Sequence, residues 1–224
     1  MSNTNGYLLT AILRSYGRPI RTKRMLDCIF QQNMTGVEVL FMGDNCPHFK
    51  SIIKSDWFLH EYDHFKRKGN SLFWLNAAKT HNDWGAHVTN VAIKIARGRY
   101  TIFLDNDDKI LPEHFQFYFN SIDKQHVDFV ANMPLVYNGG MWYGNYPGAD
   151  TSAWKEGSVG HCHLIINTEF LKTMPPHEAV YGQDWKLVQH MMAAGKGATG
   201  KTPFSTYQVM SIPGKPEPGF EDDK

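Results

Sequence analysis

The stretch Tyr100-Thr101-Ile102-Phe103-Leu104-Asp105-Asn106-Asp107-Asp108 constrains this chain more than any other. Four of its first five residues are β-branched or aromatic, which suits a strand buried in a sheet. The strand then runs directly into three carboxylates within four positions. Carboxylates this close repel, and each raises the proton affinity of its neighbours unless something positive lies between them. In open α/β sheets, ligands bind in the crevice beyond the strand C-termini. Two readings follow. Either the cluster holds a hard divalent cation or ligand, or it is an acidic turn capping the helix after Pro112. The first is favoured, because the cluster ends a buried strand and not a solvated loop.

The flanking pattern supports an α/β chain. Tyr7 to Leu13 reads as a first strand, and Pro19 suits the first turn of a helix carrying Met25, Leu26, Ile29 and Phe30 on one face. Gly36 ends that helix, and Val37 to Met42 is a second strand. This spacing is a βαβ unit, hence a parallel pair. His48 to His60 is weakly helical, residues 61–70 read as a polar loop, and Ser71 to Leu75 as a third strand. Gly85 to Arg97 is the clearest helix: Val88, Val91, Ala92, Ile95 and Ala96 recur at helical spacing. Asn82 or Asp83 suits its N-cap, and Gly98 its C-terminal stop.

The 224 residues are enough to bury a full core, with one domain over 1–212 as the default. A net charge of +1 with scattered Lys and Arg argues against a nucleic-acid footprint or a basic membrane-binding face. Cys28, Cys46 and Cys162 are odd in number and far apart, so they form no disulfide framework. With no stretch as long as a transmembrane helix and no signal-type leader, a reducing, cytoplasmic setting is expected.

The string Leu104-Asp105-Asn106-Asp107-Asp108, with Pro112 after it, resembles the "LDADD…P" signature of family 2 glycosyltransferases. The resemblance implies the GT-A fold, with a mostly parallel central sheet flanked by helices. It makes Asp105-Asn106-Asp107 an Asp-x-Asp motif: Asp105 and Asn106 on the donor side, Asp107 on Mg²⁺ or Mn²⁺ at the diphosphate. Arg14-Ser15-Tyr16-Gly17-Arg18 stands where relatives carry a "P-T-Y-N-R" loop, which puts Arg14 and Tyr16 at the donor. Gly43-Asp44-Asn45-Cys46 stands where they carry "D-D-G-S". Asp44 then accepts from the base, although Gly43 and Cys46 depart from the pattern; by itself Asp44 reads equally well as an Asx turn. Gly85, Asn90 and Gly98 match the helix before the metal strand. His87 falls where relatives carry a basic residue, and it either touches phosphate or is simply exposed.

Further along, Phe115, Tyr118, Phe119 and Ile122 mark a helix after Pro112, and Val127 to Met133 a strand. Residues 135–157 are aromatic and Gly-rich, and read either as an acceptor platform or as a β-hairpin over the sheet. Val159 to Ile166 reads as a strand opening on His161-Cys162-His163. Zinc there lacks a fourth ligand at a familiar spacing, and the resemblance instead puts His161 on the acceptor side. Thr168 to Lys172 is a short helix. Tyr181-Gly182-Gln183-Asp184-Trp185 opens another and resembles the family's "E-D-W". That implies Asp184 as catalytic base, with Gln183 and Trp185 on the acceptor side. Without the resemblance, Asp184 is a first-turn acid favoured by the helix dipole.

Gly195 to Thr202 satisfies the P-loop pattern G-x-x-x-x-G-K-[ST]. A working P-loop needs a strand before it and a helix after it. Here a helix precedes it and Pro203 follows. A mobile loop closing over a diphosphate with Lys196 or Lys201 is the better expectation. Phe204 to Ile212 reads as a last strand, and residues 213–224 as a disordered tail.

Together these features imply a metal-dependent inverting glycosyltransferase. Its donor would be a nucleotide sugar, a UDP-sugar before a GDP- or dTDP-sugar. Its acceptor would be a glycan, lipid carrier, protein or modified nucleobase. The rival classes are a nucleotidyltransferase, whose Gly-rich basic loop is poorly matched by Tyr16-Gly17-Arg18-Pro19, and a non-catalytic sugar-nucleotide-binding module.

Overall fold

Seven strands form one sheet, and its parallel half carries the acidic cluster at its edge. The computed structural model describes residues 6–133, 136–137, 154, 156, 159–180, 182–201 and 206–210. The strands are β1 (Leu9–Ser15), β2 (Val37–Gly43), β3 (Ser71–Asn76), β4 (Tyr100–Asp105), β5 (Lys109–Ile110), β6 (Phe129–Met133), β7 (Val136–Tyr137), β8 (Leu164–Asn167), β9 (Gly197–Lys201) and β10 (Tyr207–Val209). The main sheet runs β3-β2-β1-β4-β8-β6-β9, while β5, β10 and β7 form a small second sheet. The block β3-β2-β1-β4 is parallel, β8 is antiparallel to both its neighbours, and β6 and β9 pair in parallel.

Period-2 alternation on buried strands divides the core. Leu9, Ala11 and Leu13 of β1 join one apolar cluster with helices α1 (Pro19–Phe30), α3 (Asp56–Arg67) and α5 (His114–Asp123). Ile12 joins the other, with α4 (Ala86–Ile95) and α7 (Gln183–Ala194). Two short helices, α2 (Phe49–Ile53) and α6 (Thr168–Lys172), complete the fold. Helices therefore cover both faces of the sheet, as the hydrophobic runs in β1, β2 and β4 require. Among the described residues, no helix is long and apolar enough to cross a membrane.

Three expectations are corrected. Residues 61–70 are not a polar loop: α3 runs to Arg67, started by Ser55, whose Oγ accepts from Phe58 N at 3.2 Å. Phe58 and Phe65, two helical turns apart, are both fully buried against Phe30, which outweighs the polar surface of the segment. The strand expected from Val159 begins only at Leu164, because His161–His163 form a single 3-10 turn. The P-loop-like stretch is neither a phosphate cradle nor a mobile loop. Gly197–Lys201 is edge strand β9, and Lys196 N donates to Asp128 Oδ2 at 2.7 Å. Its glycines serve close packing: a Cβ on Gly200 would come within 2.1 Å of Asn132 Oδ1.

Among the described residues of the expected last strand, Tyr207–Val209 is a strand, in the small sheet; residues 204–205 and 211–212 lie outside the described residues. Most of the aromatic segment 135–157 and all of residues 211–224 lie outside the described residues.

Candidate functional site

Parallel register brings the site together. Arg14 of β1 lies opposite Asp105 of β4 and Met42 of β2, and Ser15 lies opposite Gly43. The loops leaving β1, β2 and β4 therefore open on one edge of the sheet, the crevice where α/β folds take ligands. Arg14 forms an ion pair with Asp105, and Arg18 with Asp107. Arg24 Nη2 donates to the Asp107 carbonyl at 2.6 Å. Burial opposes the Arg14 charge, but Asp105, with Asp184 and Tyr207 further off, holds its pKa above the usual value.

The acidic cluster separates into different environments. Asp105 and Asp107 are partly exposed. Asp108 is buried; it accepts from Tyr207 Oη at 2.8 Å and from Met210 N at 2.9 Å, fastening β10 to the loop after β4. Burial, then the charges of Asp107 and Asp105, push its pKa well above the carboxylate range. Asn106 is buried as well, and its Nδ2 donates to Thr22 Oγ1 at 2.8 Å. This bond ties the loop after β4 onto α1.

On the β2 side, Asp44 is buried and accepts from His81, whose ring stacks on that of His87 at 3.8 Å. His87 stands in the first turn of α4, its N–H donating to Asp83 Oδ2 at 2.7 Å. Gly43, which departs from the family pattern, has no room for a side chain: a Cβ there would come within 2.3 Å of Asn76 Oδ1 and 2.7 Å of the Phe49 ring. Asn76 in turn accepts from Cys46 N at 2.8 Å. Tyr16, in the loop after β1, is 56% exposed.

On the far side, Asp184 occupies the first turn of α7, and its Oδ2 lies close against Gly160, next to the 3-10 turn. It is near enough to add to the field on Arg14 and on Cys162. Within that turn, His161 stacks on Phe103 at 4.7 Å, and its Nε2 meets His177 Nε2 at 2.9 Å. Burial, then Arg14 and His177, hold the His161 pKa well below the usual value, so it is neutral. Tyr118 Oη donates to the Cys162 carbonyl at 2.7 Å and fixes the turn from the opposite helix layer. Gln183 is buried, its Nε2 donating to the Trp84 carbonyl at 2.8 Å, while Trp185 is half-buried and packs into the second apolar cluster.

The structure thus pairs Arg14 with Asp105 and Arg18 with Asp107 and brings Asp184 and His161 within electrostatic reach of Arg14, while Asp44 and His87 are joined through His81 on the β2 side. Sequence reasoning missed His81, Trp84, His177 and Tyr207. Their roles depend on contacts far along the chain, and only the exposed-type aromatic Trp84 beside Gly85 carried a local signal.

Among the described residues, no three or more His, Cys, Asp or Glu side chains are placed to hold a metal ion by themselves. Asp105 and Asp107 nonetheless offer hard oxygen donors at a partly exposed strand end. Mg²⁺-type ions are held by one or two carboxylates together with substrate phosphates and water, so the residues fit a cation that shares a diphosphate.

No protein-family model matches this chain, and no curated protein sequence matches it. Solved structures do. Residues 1–349 of S. aureus TarS align with a TM-score of 0.66 at 18% identity over 90% of this chain. The same protein in complex with UDP-GlcNAc aligns at 0.66 and 18% over 93%. The mannosyltransferase PcManGT from Pyrobaculum calidifontis, in complex with GDP-Man and Mn²⁺, aligns at 0.67 and 15% over 96%. The chain spans 60% of the length of each of these structures. The shared architecture is the GT-A glycosyltransferase fold.

Proposed function

We propose that this chain transfers a sugar from a nucleotide-sugar donor to an acceptor hydroxyl, inverting the anomeric centre. The observation that carries the reading is the convergence of Asp105 at the end of β4 and Asp107 just after it with Arg14 near the end of β1, Arg18 in the loop that follows and Asp184 at the head of α7. It is supported by the fold shared with proteins solved with UDP-GlcNAc and with GDP-Man and Mn²⁺.

In this reading Asp44 and Tyr16 face the base, Asp105 the ribose, and Arg14 and His87 the diphosphate. Asp107 holds the divalent cation, which when bound neutralises charge on the departing diphosphate. Arg14 and Arg18, which pair with Asp105 and Asp107, are the cations placed to meet the phosphate oxygens. Asp184 takes the proton from the acceptor hydroxyl. His161 is kept neutral by burial and by Arg14; with Gln183 and Trp185 it shapes the acceptor side. The UDP-sugar is the preferred donor, because Asp44 matches the family's base-facing acid.

The test is a thermal-shift series with UDP, GDP and dTDP, each with and without Mn²⁺. A bound diphosphate raises the apparent stability by mass action. One base is expected to dominate, with an added Mn²⁺-dependent rise that disappears in Asp107→Ala. An undiminished Mn²⁺ effect in that variant would remove Asp107 from the cation site.

A further inference from the structure

The helix layer of α4, α6 and α7 encloses a cavity away from the crevice. α4 meets the crevice at its head, where Gly85 lies against Arg14, and α7 at its own, where Asp184 stands. The cavity is reached further along both helices, at Ile93 and Lys94 of α4 and Leu187 of α7. At about 1.5 Å of rise per residue, Ile93 lies roughly 12 Å along the helix from Gly85. The volume of about 350 Å³ is at the lower end of the range for small-molecule sites.

Its floor is apolar. Ile93, Leu171 and Leu187 are buried members of the second apolar cluster, and Met174 packs against it. Water against such a surface is released by an apolar occupant. Its walls are fixed. The Asn90 carboxamide clasps the His177 backbone, with Oδ1 accepting from His177 N at 2.7 Å and Nδ2 donating to His177 O at 3.0 Å. The His177 ring is held in turn by His161, Nε2 to Nε2 at 2.9 Å. Pro175 and Pro176, just before it, carry no N–H for an occupant to satisfy. The polar side chains of the walls, Asn90 and His177, are thus engaged within the protein. The hydroxyls of a sugar would be buried here without partners, which is costly.

The mouth is cationic. Lys94 and Lys172 line the cavity and are exposed, and among the described residues no carboxylate lines it. Lys172 pairs with Glu169, whose side chain is 83% exposed, a contact of little strength. Among the described residues no ion pair or hydrogen bond engages Lys94. The volume admits one short chain and not the two acyl chains of a membrane lipid.

We infer that this cavity binds a small amphiphilic anion, a free medium-chain carboxylate whose apolar body fills the floor and whose charge meets Lys94 and Lys172. The site is separate from the crevice, and the inference does not rest on the nucleotide-sugar reading.

Titration calorimetry of the full chain with octanoate, octan-1-ol and acetate tests this. Octanoate is expected to bind one to one, with a Kd on the order of 0.1–1 mM. Octan-1-ol, with the same body and no charge, is expected to bind roughly 3- to 10-fold more weakly, and acetate, with the charge and no body, not at all. Lys94→Glu, at an exposed position, is expected to weaken octanoate by a similar factor and leave octan-1-ol unchanged. Met174→Trp, which fills the cavity from its half-buried edge, is expected to abolish binding of both. Octanoate affinity is expected to be the same in excess UDP and Mn²⁺. No saturable octanoate binding up to about 10 mM would overturn the inference. So would equal affinity for octanoate and octan-1-ol, wild-type octanoate affinity in either variant, or competition by UDP, which would put octanoate in the crevice.

Discussion

Asp44 accepts from His81 at two places: the backbone N–H at 3.1 and 3.2 Å to its two oxygens, and the ring Nδ1 at 2.9 Å. A carboxylate has about four lone-pair sites, and this arrangement uses three of them. What remains is one acceptor position, enough for a single base N–H. The contact also requires the His81 proton on Nδ1, which leaves Nε2 as an acceptor in the neutral ring.

Asp44→Ala is therefore expected to weaken nucleoside diphosphate binding by roughly 10-fold or more, the value of one hydrogen bond to a charged group. His81→Ala is expected to weaken it less, by releasing a carboxylate that is otherwise held in place. Calorimetry with UDP and GDP checks both. Wild-type affinity in Asp44→Ala would place base recognition elsewhere.

Asp184→Asn keeps the size and hydrogen bonding of the side chain but cannot accept a proton. With an acceptor in hand, turnover is expected to fall by at least roughly 10²-fold while diphosphate affinity stays near wild type. Loss of both together would point to a positioning role. Near-normal turnover, or a product with the donor's anomeric configuration, would count against Asp184 as the base of an inverting transfer.

Asp108 is expected to matter for stability and not for the cation. Asp108→Ala leaves the Tyr207 hydroxyl and the Met210 N–H without their acceptor, at a cost of about 2–3 kcal/mol. Its folded pKa is raised, so its stabilising share belongs to low pH and is lost as pH rises. Asp108→Asn, which removes that buried charge, is expected to cost much less than Asp108→Ala at pH 7. Urea unfolding of the two variants decides, and equal destabilisation would refute the account.

Burial holds the pKa of His163 and His177 down to about 4, and that of His114 to about 3. The unfolded chain protonates these rings near 6.5, while the folded chain does not. Between about pH 6.5 and 4 the unfolded state therefore binds more protons, and stability falls as pH falls. The loss approaches, at most, about 3 kcal/mol per imidazole at the lower end. His114→Gln is expected to flatten this slope by about one proton in urea unfolding between pH 7 and 4.5. A slope identical to wild type would show that His114 is not held neutral.

Part of this protein can be read without coordinates, because some signals are local. A run of β-branched and aromatic residues ending in acids marks β4 and its edge, and the 3.6-residue recurrence of Val88, Ala92 and Ala96 marks α4. The order of strand, loop and acid is enough to expect an α/β sheet with a crevice beyond Asp105. The P-loop-like glycines could be set aside from sequence too, since Pro203 rules out the following helix.

The division of labour within the site depended on tertiary contacts. In sequence Asp105, Asp107 and Asp108 are equivalent carboxylates. Tyr207 and Met210, about a hundred residues further on, bury the third and leave the first two to Arg14 and Arg18. α3 looked like a polar loop because its stability comes from the meeting of Phe58 and Phe65 with Phe30, brought in from another helix. His161 looked like a strand residue until Phe103 and His177 enclosed it. Periodicity reports which face of an element is apolar. Which charge is buried, paired or left to solvent depends on what the rest of the chain packs against it, and that is a property of the folded state.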